Sequence, residues 1–257
     1  MLSTHISHQI YAKLSFDATF NQKKIIEKLS EWLADDDYRR IFLLNGYAGT
    51  GKTTIIAAFV AALNDLGIKT ILLAPTGRAA KVLSHYSHKD AYTIHKRIYR
   101  ERTSGEFESK FSLDFNKEKG AVFIVDEASM LSASAAEGDI FGSGNLLDDL
   151  VQYVRSGKEC RLMLVGDDAQ LPPVGDDYSP ALDTATLTQY ADVEYATMDE
   201  VVRQTQDSGI LFNATMIRCM LENRIFEIPH FDTSFKDFQS LQGGELIEAL
   251  QECYDRY

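Results

Sequence analysis

The sequence predicts an α/β fold in which a parallel sheet is covered by helices on both faces. The first observation is a set of four short apolar runs, each typical of a buried strand: residues 41–44, 70–74, 121–125 and 161–165. The second is the helical spacing of apolar residues in the segments between these runs. The third is that three runs lead directly into polar motifs, as expected where parallel strands end at one ligand-binding edge.

The segment before the first predicted strand contains one clear helix. Residues 1–18 carry no readable pattern, and we expect an irregular leader there. Residues 19–22, Thr-Phe-Asn-Gln, fit a capping box at the start of a helix. Apolar residues then recur at helical spacing as far as Leu33, and a run of aspartates ends the helix.

The remaining elements are predicted from periodicity, caps and turn residues. In chain order after the first strand, they are a helix that ends before Gly67, a strand over 70–74, a helix over 78–84, a short helix over 93–100 capped by Thr93, a small hairpin or loop excursion over 101–119, a strand over 121–125, a polar loop over 132–144, a helix capped by Asn145, a strand over 161–165, a loop-like stretch over 175–190, a short strand over 193–196, and helices over about 208–222 and 245–254.

Composition and charge exclude several classes of protein. The net charge of −12 argues against non-specific nucleic-acid binding through overall charge, although it leaves room for a local basic groove. Three scattered cysteines indicate a reducing compartment rather than a disulfide framework. The N-terminus has no signal-peptide pattern, and the longest apolar run, residues 55–63, is too short to span a bilayer. A cytoplasmic protein is therefore expected.

The first predicted strand leads into a glycine-rich loop that opens a helix. Its spacing fits the phosphate-binding loop, G-x-x-x-x-G-K-[ST], in which backbone N–H groups and a helix N-terminus face polyphosphate. The lysine supplies a mobile positive charge, and the hydroxyl after it is a ligand for Mg²⁺. A glycine-rich turn with a chance lysine is the alternative, which the flanking strand and helix disfavour. The predicted nucleotide-binding residues here are Gly46, Ala48, Gly49, Thr50, Gly51, Lys52, Thr53 and Thr54.

Two acidic residues, Asp126 and Glu127, follow the third predicted strand. An aspartate in this place is expected to support Mg²⁺ through water, with Thr53 as the other protein group. Glu127 is expected to orient or deprotonate the attacking water. The alternative is a pair of solvated acids in a turn. His85 and His88 are spaced like metal ligands, but no cluster in the sequence completes a zinc site around them.

Together these motifs resemble those of superfamily 1 DNA helicases in the RecD-like and Dda-like branch. The resemblance runs from about Gln22 to Gln204, with the motifs in the right order and at the right spacing. Besides the phosphate-binding loop, the stretches that carry it are Asp126-Glu-Ala-Ser-Met130, Gly166-Asp-Asp-Ala-Gln-Leu-Pro-Pro-Val174, Ala74-Pro-Thr-Gly-Arg-Ala-Ala-Lys81, Thr93-Ile-His95 and Val201-Val-Arg-Gln204.

This resemblance implies a RecA-like motor lobe that uses ATP and Mg²⁺. Gln22 would contact adenine, although the alternative of an exposed helix residue stays open. Gln170 would sense the γ-phosphate and couple its loss to movement of DNA. Arg203 would reach the γ-phosphate, unless it forms only a surface ion pair. The residues that would carry the chemistry are Lys52, Asp126, Glu127, Gln170 and Arg203.

The resemblance also implies a path for single-stranded DNA. Its predicted residues are Pro75, Thr76, Arg78, Lys81, Thr93 and His95. Composition supports such a path independently, because residues 78–102 hold seven Lys or Arg and two acids, a local net charge of +5 in a chain of −12. A solvated helical face is an equally good explanation for the distal cations. Candidates for stacking on bases are Tyr92, Phe107 and Phe111, without ranking.

Helicases of this family have a second RecA-like lobe, and the 53 residues after Gln204 lack its Thr-His-Lys-Gly and Thr-Arg-Ala segments. We therefore expect a leader (1–18), a first motor lobe (19–205) and the helical beginning of a further segment (206–257). The predicted function of the parent protein is ATP-driven translocation and DNA unwinding, 5′ to 3′ by resemblance, and for this chain alone we expect nucleotide binding with little or no turnover. The alternatives are a nucleotide-dependent switch or clamp ATPase, and an interaction module without catalysis.

Overall fold

The computed structural model describes residues 2–47, 49–104, 108–134, 140–200 and 208–256. The chain divides into two compact units, residues 1–200 and 201–257. The first unit holds the predicted sheet. Its helices are α1 (Leu2–Tyr11), α2 (Phe20–Ala34), α3 (Lys52–Asp65), α4 (Gly77–Ser87), α5 (Ile94–Ile98), α6 (Leu146–Ser156) and α7 (Thr184–Leu187). Its strands are β1 (Ile41–Gly46), β2 (Thr70–Ala74), β3 (Ala91–Thr93), β4 (Tyr99–Ser104), β5 (Glu108–Leu113), β6 (Val122–Val125), β7 (Arg161–Gly166) and β8 (Val193–Met198).

Within the described residues, six strands form one parallel sheet in the order β3-β2-β6-β7-β1-β8. Strand β1 lies inside the sheet and is buried on both faces. Its Phe42 and Leu44 join the core under α1, α2, α3 and α4, whereas Ile41 and Leu43 join the core under α5 and α6. This arrangement confirms the predicted α/β fold with helices on both faces.

The expectation of an irregular leader over residues 1–18 is wrong, because α1 occupies most of that segment. Ile6 and Ile10 are buried and pack with α2 and α3. The two isoleucines are spaced four residues apart and therefore share one face of the helix. The other positions of α1 are largely polar, so a single pair of buried residues supplied too little periodicity to predict the helix.

Three further differences lie on the edges of the sheet. Strand β3 was not predicted, and it pairs in parallel with β2. The predicted hairpin is confirmed as the antiparallel pair β4–β5, which starts at Tyr99, so α5 is shorter than expected. The prediction of a loop over residues 175–190 is wrong for its middle part, where a 3₁₀ turn (Pro180–Leu182) and α7 form.

The second unit contains the two predicted C-terminal helices, α8 (Gly209–Glu222) and α9 (Leu246–Arg256). Ser208 caps α8 by accepting a hydrogen bond from the Leu211 N–H. The buried Asn213 amide donates to the carbonyls of Gly209 and Asp232, which ties the helix to the loop after it. In the described part of the chain, we find no helix with the length and apolar character that crossing a membrane requires.

We predict that α1 contributes to the stability of the sheet unit. Replacing the fully buried Ile10 by Ala should lower the free energy of unfolding by about 2–5 kcal/mol, because it leaves a cavity in the core. Leu2→Ala, on the same helix at a side chain that is 59% exposed, is the matched control and should change stability by less than about 0.5 kcal/mol. Chemical denaturation measures both variants. Equal midpoints would show that α1 does not stabilise the sheet unit.

Candidate active site

The candidate site lies where three neighbouring strands of the sheet end. Strands β6, β7 and β1 are adjacent and parallel, with Val125 paired to Leu164 and Asn45 paired to Gly166. Their carboxyl ends therefore meet at one edge. The loops that follow them carry the glycine-rich loop, the Asp126–Glu127 pair and the stretch from Gly166 to Val174.

Backbone geometry explains the glycines of the first loop. Gly49 and Gly51 have φ of 77° and 90°, in the left-handed region that a side chain disfavours. A Cβ on Gly46 would lie 2.7 Å from the Met198 Cβ, so this position has no room for one. Lys52 then opens α3, with Gly51 as its N-cap. The helix N-terminus and the loop can therefore present backbone N–H groups to an anion.

The hydroxyl-bearing residues of this loop differ in exposure. Thr50 is buried, and its hydroxyl donates to the Tyr47 carbonyl over 2.7 Å. Thr53 and Thr54 are exposed in the first turn of α3. Ala48 lies outside the described residues. The predicted magnesium ligand Thr53 is therefore in an accessible position, whereas Thr50 supports the shape of the loop.

Lys52 is mostly buried, and carboxylates surround it. Its ammonium donates to the carbonyls of Gly46 and Tyr47 and lies 3.8 Å from Oδ2 of the buried Asp167. Burial lowers the pKa of Lys52 because it removes water from the cation, and the carboxylates of Asp167, Asp126 and Glu127 partly oppose that shift. Among the described residues, Lys52 is thus a cation held next to several acids.

The Asp126 carboxylate is held by two donors. Tyr86 Oη donates to Asp126 Oδ2 over 2.5 Å, and the Glu127 N–H donates to Asp126 Oδ1 over 3.0 Å. Glu127 adopts a left-handed backbone conformation with φ of 56°, which is strained for a residue with a side chain. Strain of this kind recurs at functional sites, where the surrounding structure maintains it.

Burial raises the pKa of the Glu127 carboxyl, and the neighbouring charge of Asp126 raises it further. A hydrogen bond with the Gln170 side chain and the charge of Lys52 act in the opposite direction. The raised pKa makes Glu127 a stronger base than an ordinary glutamate, as suits a group that accepts a proton from water. The structure thus brings Glu127 and Gln170 together, although they are far apart in sequence.

The loop after β7 is locked to the neighbouring strand ends. A Cβ on Gly166 would lie 2.6 Å from Leu182 Cδ2, so a side chain here would force Leu182 to move. The Asp168 N–H donates to Oδ1 of the buried Asn45 in β1, over 3.2 Å. Within the loop, Asp167 Oδ1 accepts from the Ala169 N–H. Sequence reasoning assigned no role to Asn45 or Asp167, although a polar residue at the end of an apolar strand was an available signal.

Gln22 is buried, so the alternative of an exposed helix residue is wrong. The predicted capping box is confirmed: the Gln22 N–H donates to Thr19 Oγ1 and the Thr19 N–H donates to Gln22 Oε1. The Gln22 Nε2 atom is buried, and among the described residues it has no hydrogen-bond partner. That unused donor fits a ligand acceptor, and the contact with adenine stays a prediction.

The residues predicted to contact DNA follow two adjacent strand ends. Ala74 in β2 pairs with Thr93 in β3, so the segments that follow both residues lie side by side. Thr76 Oγ1 caps α4 by accepting from the Ala79 N–H, and Thr93 Oγ1 caps α5 by accepting from the Lys96 N–H. Both hydroxyls therefore have a structural role of their own.

Exposure separates the other DNA candidates. Arg78 and Lys81 are exposed on α4, and Pro75 is half-buried before it. His95 packs against Tyr99 and Phe141, with ring centroids 5.7 and 4.9 Å away, at the base of the hairpin. The cluster gives His95 a packing role that its motif did not predict.

The three candidates for base stacking also differ. Tyr92 is exposed, with the Lys96 ammonium 5.5 Å from its ring centroid. Phe111 stacks on Phe141 at 4.7 Å within the hairpin cluster. Phe107 lies outside the described residues, as does Arg203. Tyr92 is therefore the best placed of the candidates that the structure describes.

The local positive charge of residues 78–102 is smaller in the structure than the residue count suggests. Arg97 pairs with Glu118 at 2.6 Å, and Arg100 lies 3.8 Å from Asp114. Glu118 also pairs with Lys69. These acids lie just beyond residues 78–102 and offset part of the local charge. The exposed cations at the start of α4 are consequently the stronger candidates for phosphate contacts.

Comparisons with known proteins give one family and several relatives. The model of the AAA domain family matches residues 21–218. ATP-dependent DNA helicase PIF4 of Trypanosoma brucei brucei is 25% identical over 80% of this chain and 30% of its own length. ATP-dependent RecD2 DNA helicase of Deinococcus radiodurans is 33% identical over 52% of this chain and 16% of its own length.

ATP-dependent DNA helicase dda of Enterobacteria phage T4 is 33% identical over 57% of this chain and 30% of its own length. The matched part of this chain thus spans less than a third of each of these relatives. The family match covers both the phosphate-binding loop and the loop after β7. The chain therefore belongs to the AAA domain family, and its motifs resemble those of the first motor lobe of RecD-like superfamily 1 helicases.

Proposed function

We propose that the chain binds ATP with Mg²⁺ at the edge formed by β6, β7 and β1, and drives translocation on single-stranded DNA as part of a longer protein. The observation that carries this proposal is the convergence of Lys52, Asp126, Glu127 and Gln170, which come from three separate loops. A nucleotide site needs a cation for phosphate, an acid for the metal and a base for water, and these residues supply all three.

The residues of the site fit both the nucleotide and the metal. The Lys52 ammonium donates hydrogen bonds to two loop carbonyls and lies near one carboxylate. Polyphosphate would be a stronger partner for this cation. Thr53 and Asp126 would hold Mg²⁺, the latter through water, and the ion would offset phosphate charge. Gln22 Nε2 would donate to adenine. These roles combine the geometry with the resemblance.

Glu127 would accept the proton of the attacking water, and Gln170, through its hydrogen bond, would keep the carboxylate oriented. The raised pKa of Glu127 fixes the sign of a pH effect. Hydrolysis should fall as the pH drops through that pKa, at a higher pH than an ordinary glutamate would give. In the longer protein, a positive group from across the cleft, together with Arg203, would stabilise the transferring phosphoryl group.

A nucleotide switch or clamp ATPase that does not move on DNA is the second candidate. It would use the same phosphate loop and the same acids. It gives no reason for exposed Arg78 and Lys81 to follow the strand beside the site, or for Thr93 to pair with Ala74 at the end of that strand. Relatives named as DNA helicases also favour translocation. The 5′ to 3′ direction comes from the resemblance alone.

We predict that Lys52→Ala weakens binding of Mg-ATP by about 10–100-fold, the loss expected for a charge-assisted hydrogen bond to phosphate. Lys117→Ala, at an exposed lysine outside the site, is the matched control and should bind as the wild type does. Titration with a fluorescent ATP analogue measures both affinities. Equal affinities for all three proteins would remove Lys52 from the nucleotide site.

Glu127→Gln is predicted to keep ATP binding in the longer protein but to stop hydrolysis, because the amide cannot take a proton from water. Loss of a general base typically costs about 10²–10⁴ in rate. Single-turnover hydrolysis measures the chemical step, and the same titration measures binding. Normal turnover would assign the base to another residue.

Arg78→Ala should weaken binding of single-stranded DNA more at 50 mM than at 200 mM salt, because each lost phosphate contact reduces counterion release. The slope of log K against log[salt] should become shallower by about 0.7. Arg39→Ala is the control, since this exposed arginine precedes β1 and lies at the opposite edge of the sheet. Fluorescence anisotropy with an oligonucleotide gives the slopes, and an unchanged slope for Arg78→Ala would take Arg78 out of the DNA path.

A further inference from the structure

Tyr86 contacts the metal-supporting aspartate from a helix outside the phosphate loop. Its hydroxyl donates to Asp126 Oδ2 over 2.5 Å, although 40 residues separate them in sequence. The side chain is half-buried and packs against the core on this face of the sheet. None of the motifs that identified the site includes Tyr86.

The position of Tyr86 follows from the packing of α4. Ala80 and Leu83 are the buried residues of this helix, and Tyr86 continues their three-residue spacing on the same face. The helix therefore aims the tyrosine ring toward the sheet, where Asp126 follows β6 beside β2. Leu83, three residues before Tyr86, anchors α4 in the core. This packing holds the tyrosine ring in place for its contact with Asp126.

The contact constrains the Asp126 carboxylate. One oxygen accepts from Tyr86 and the other from the Glu127 N–H, so the plane of the carboxylate is set by a donor on each side. Each oxygen has two lone pairs and keeps one for a metal-bound water. A tyrosine hydroxyl is protonated at neutral pH, and here its acceptor is Asp126 Oδ2, so it acts as the donor.

We propose that Tyr86 is a positioning residue, which orients Asp126 for Mg²⁺ and ties the metal site to α4. Removing a group that hydrogen-bonds a direct metal ligand commonly changes metal affinity by about 10–100-fold, and because Asp126 would act through water, the lower end of that range applies here. The proposal rests on the proposed function, since it takes Asp126 as the group that supports the metal. Helix α4 also carries Arg78 in its first turn, so one rigid element would link the phosphate-contact candidate to the metal site.

Tyr86→Phe removes only the hydroxyl. We expect the Mg²⁺ concentration that half-saturates the nucleotide complex to rise about tenfold. The affinity for nucleotide in EDTA, without Mg²⁺, should stay unchanged. The measurement is a Mg²⁺ titration of the chain with a fluorescent ADP analogue. Tyr99→Phe is the matched control, because it deletes a tyrosine hydroxyl that donates over 2.7 Å to the buried Asp149, outside the site. Its Mg²⁺ titration should equal that of the wild type.

A second experiment, in a chain that carries Asp126→Asn, distinguishes a positioning role of Tyr86 from a general packing role. If Tyr86 acts through Asp126, Tyr86→Phe should have no further effect on the Mg²⁺ titration in a chain that already carries Asp126→Asn. An unchanged titration of Tyr86→Phe, or an equal loss in both backgrounds, would overturn the proposal. If the wild-type chain binds no nucleotide, the proposed function itself fails. If the wild-type chain binds nucleotide normally and Tyr86→Phe has the same Mg²⁺ titration, only the role of Tyr86 fails.

Discussion

The burial of the Lys52 ammonium among carboxylates is the interaction on which the site depends. At 3.8 Å from Asp167, and at an effective dielectric constant of about 20, the attraction is about 4 kcal/mol. Both side chains are largely buried, and burying each ion costs several kcal/mol. The attraction therefore does not offset the cost of burying the pair, and the cation remains available for a partner with more negative charge. Parallel pairing of β6, β7 and β1 sets this geometry.

The fold and the centre of the site could be predicted because their signals are local. Strand, loop and helix follow one another around Gly46, Gly51 and Lys52, so their spacing alone indicated phosphate binding. The Asp126–Glu127 pair follows a short buried strand. In a parallel sheet the carboxyl ends of the strands meet at one edge, which brings these two motifs together.

The remainder depends on contacts between distant parts of the chain. Tyr86 reaches Asp126 across 40 residues, and Asn45 holds the loop after β7 across 123 residues. No periodicity marks such pairs. Helix α1 was missed because only Ile6 and Ile10 mark its buried face, and the ring contacts of His95 with Tyr99 and Phe141 had no local signal. The DNA contact of His95 stays a prediction.

The most direct test of this account is a Mg-ATP titration of the chain, with hydrolysis followed in the same samples with and without single-stranded DNA. In the proposed longer protein a positive group from across the cleft would stabilise the transferring phosphoryl group, so for this chain alone we expect saturable binding with little turnover. The absence of saturable binding would contradict a nucleotide site at this edge of the sheet. Rapid turnover stimulated by DNA would contradict the need for a second lobe.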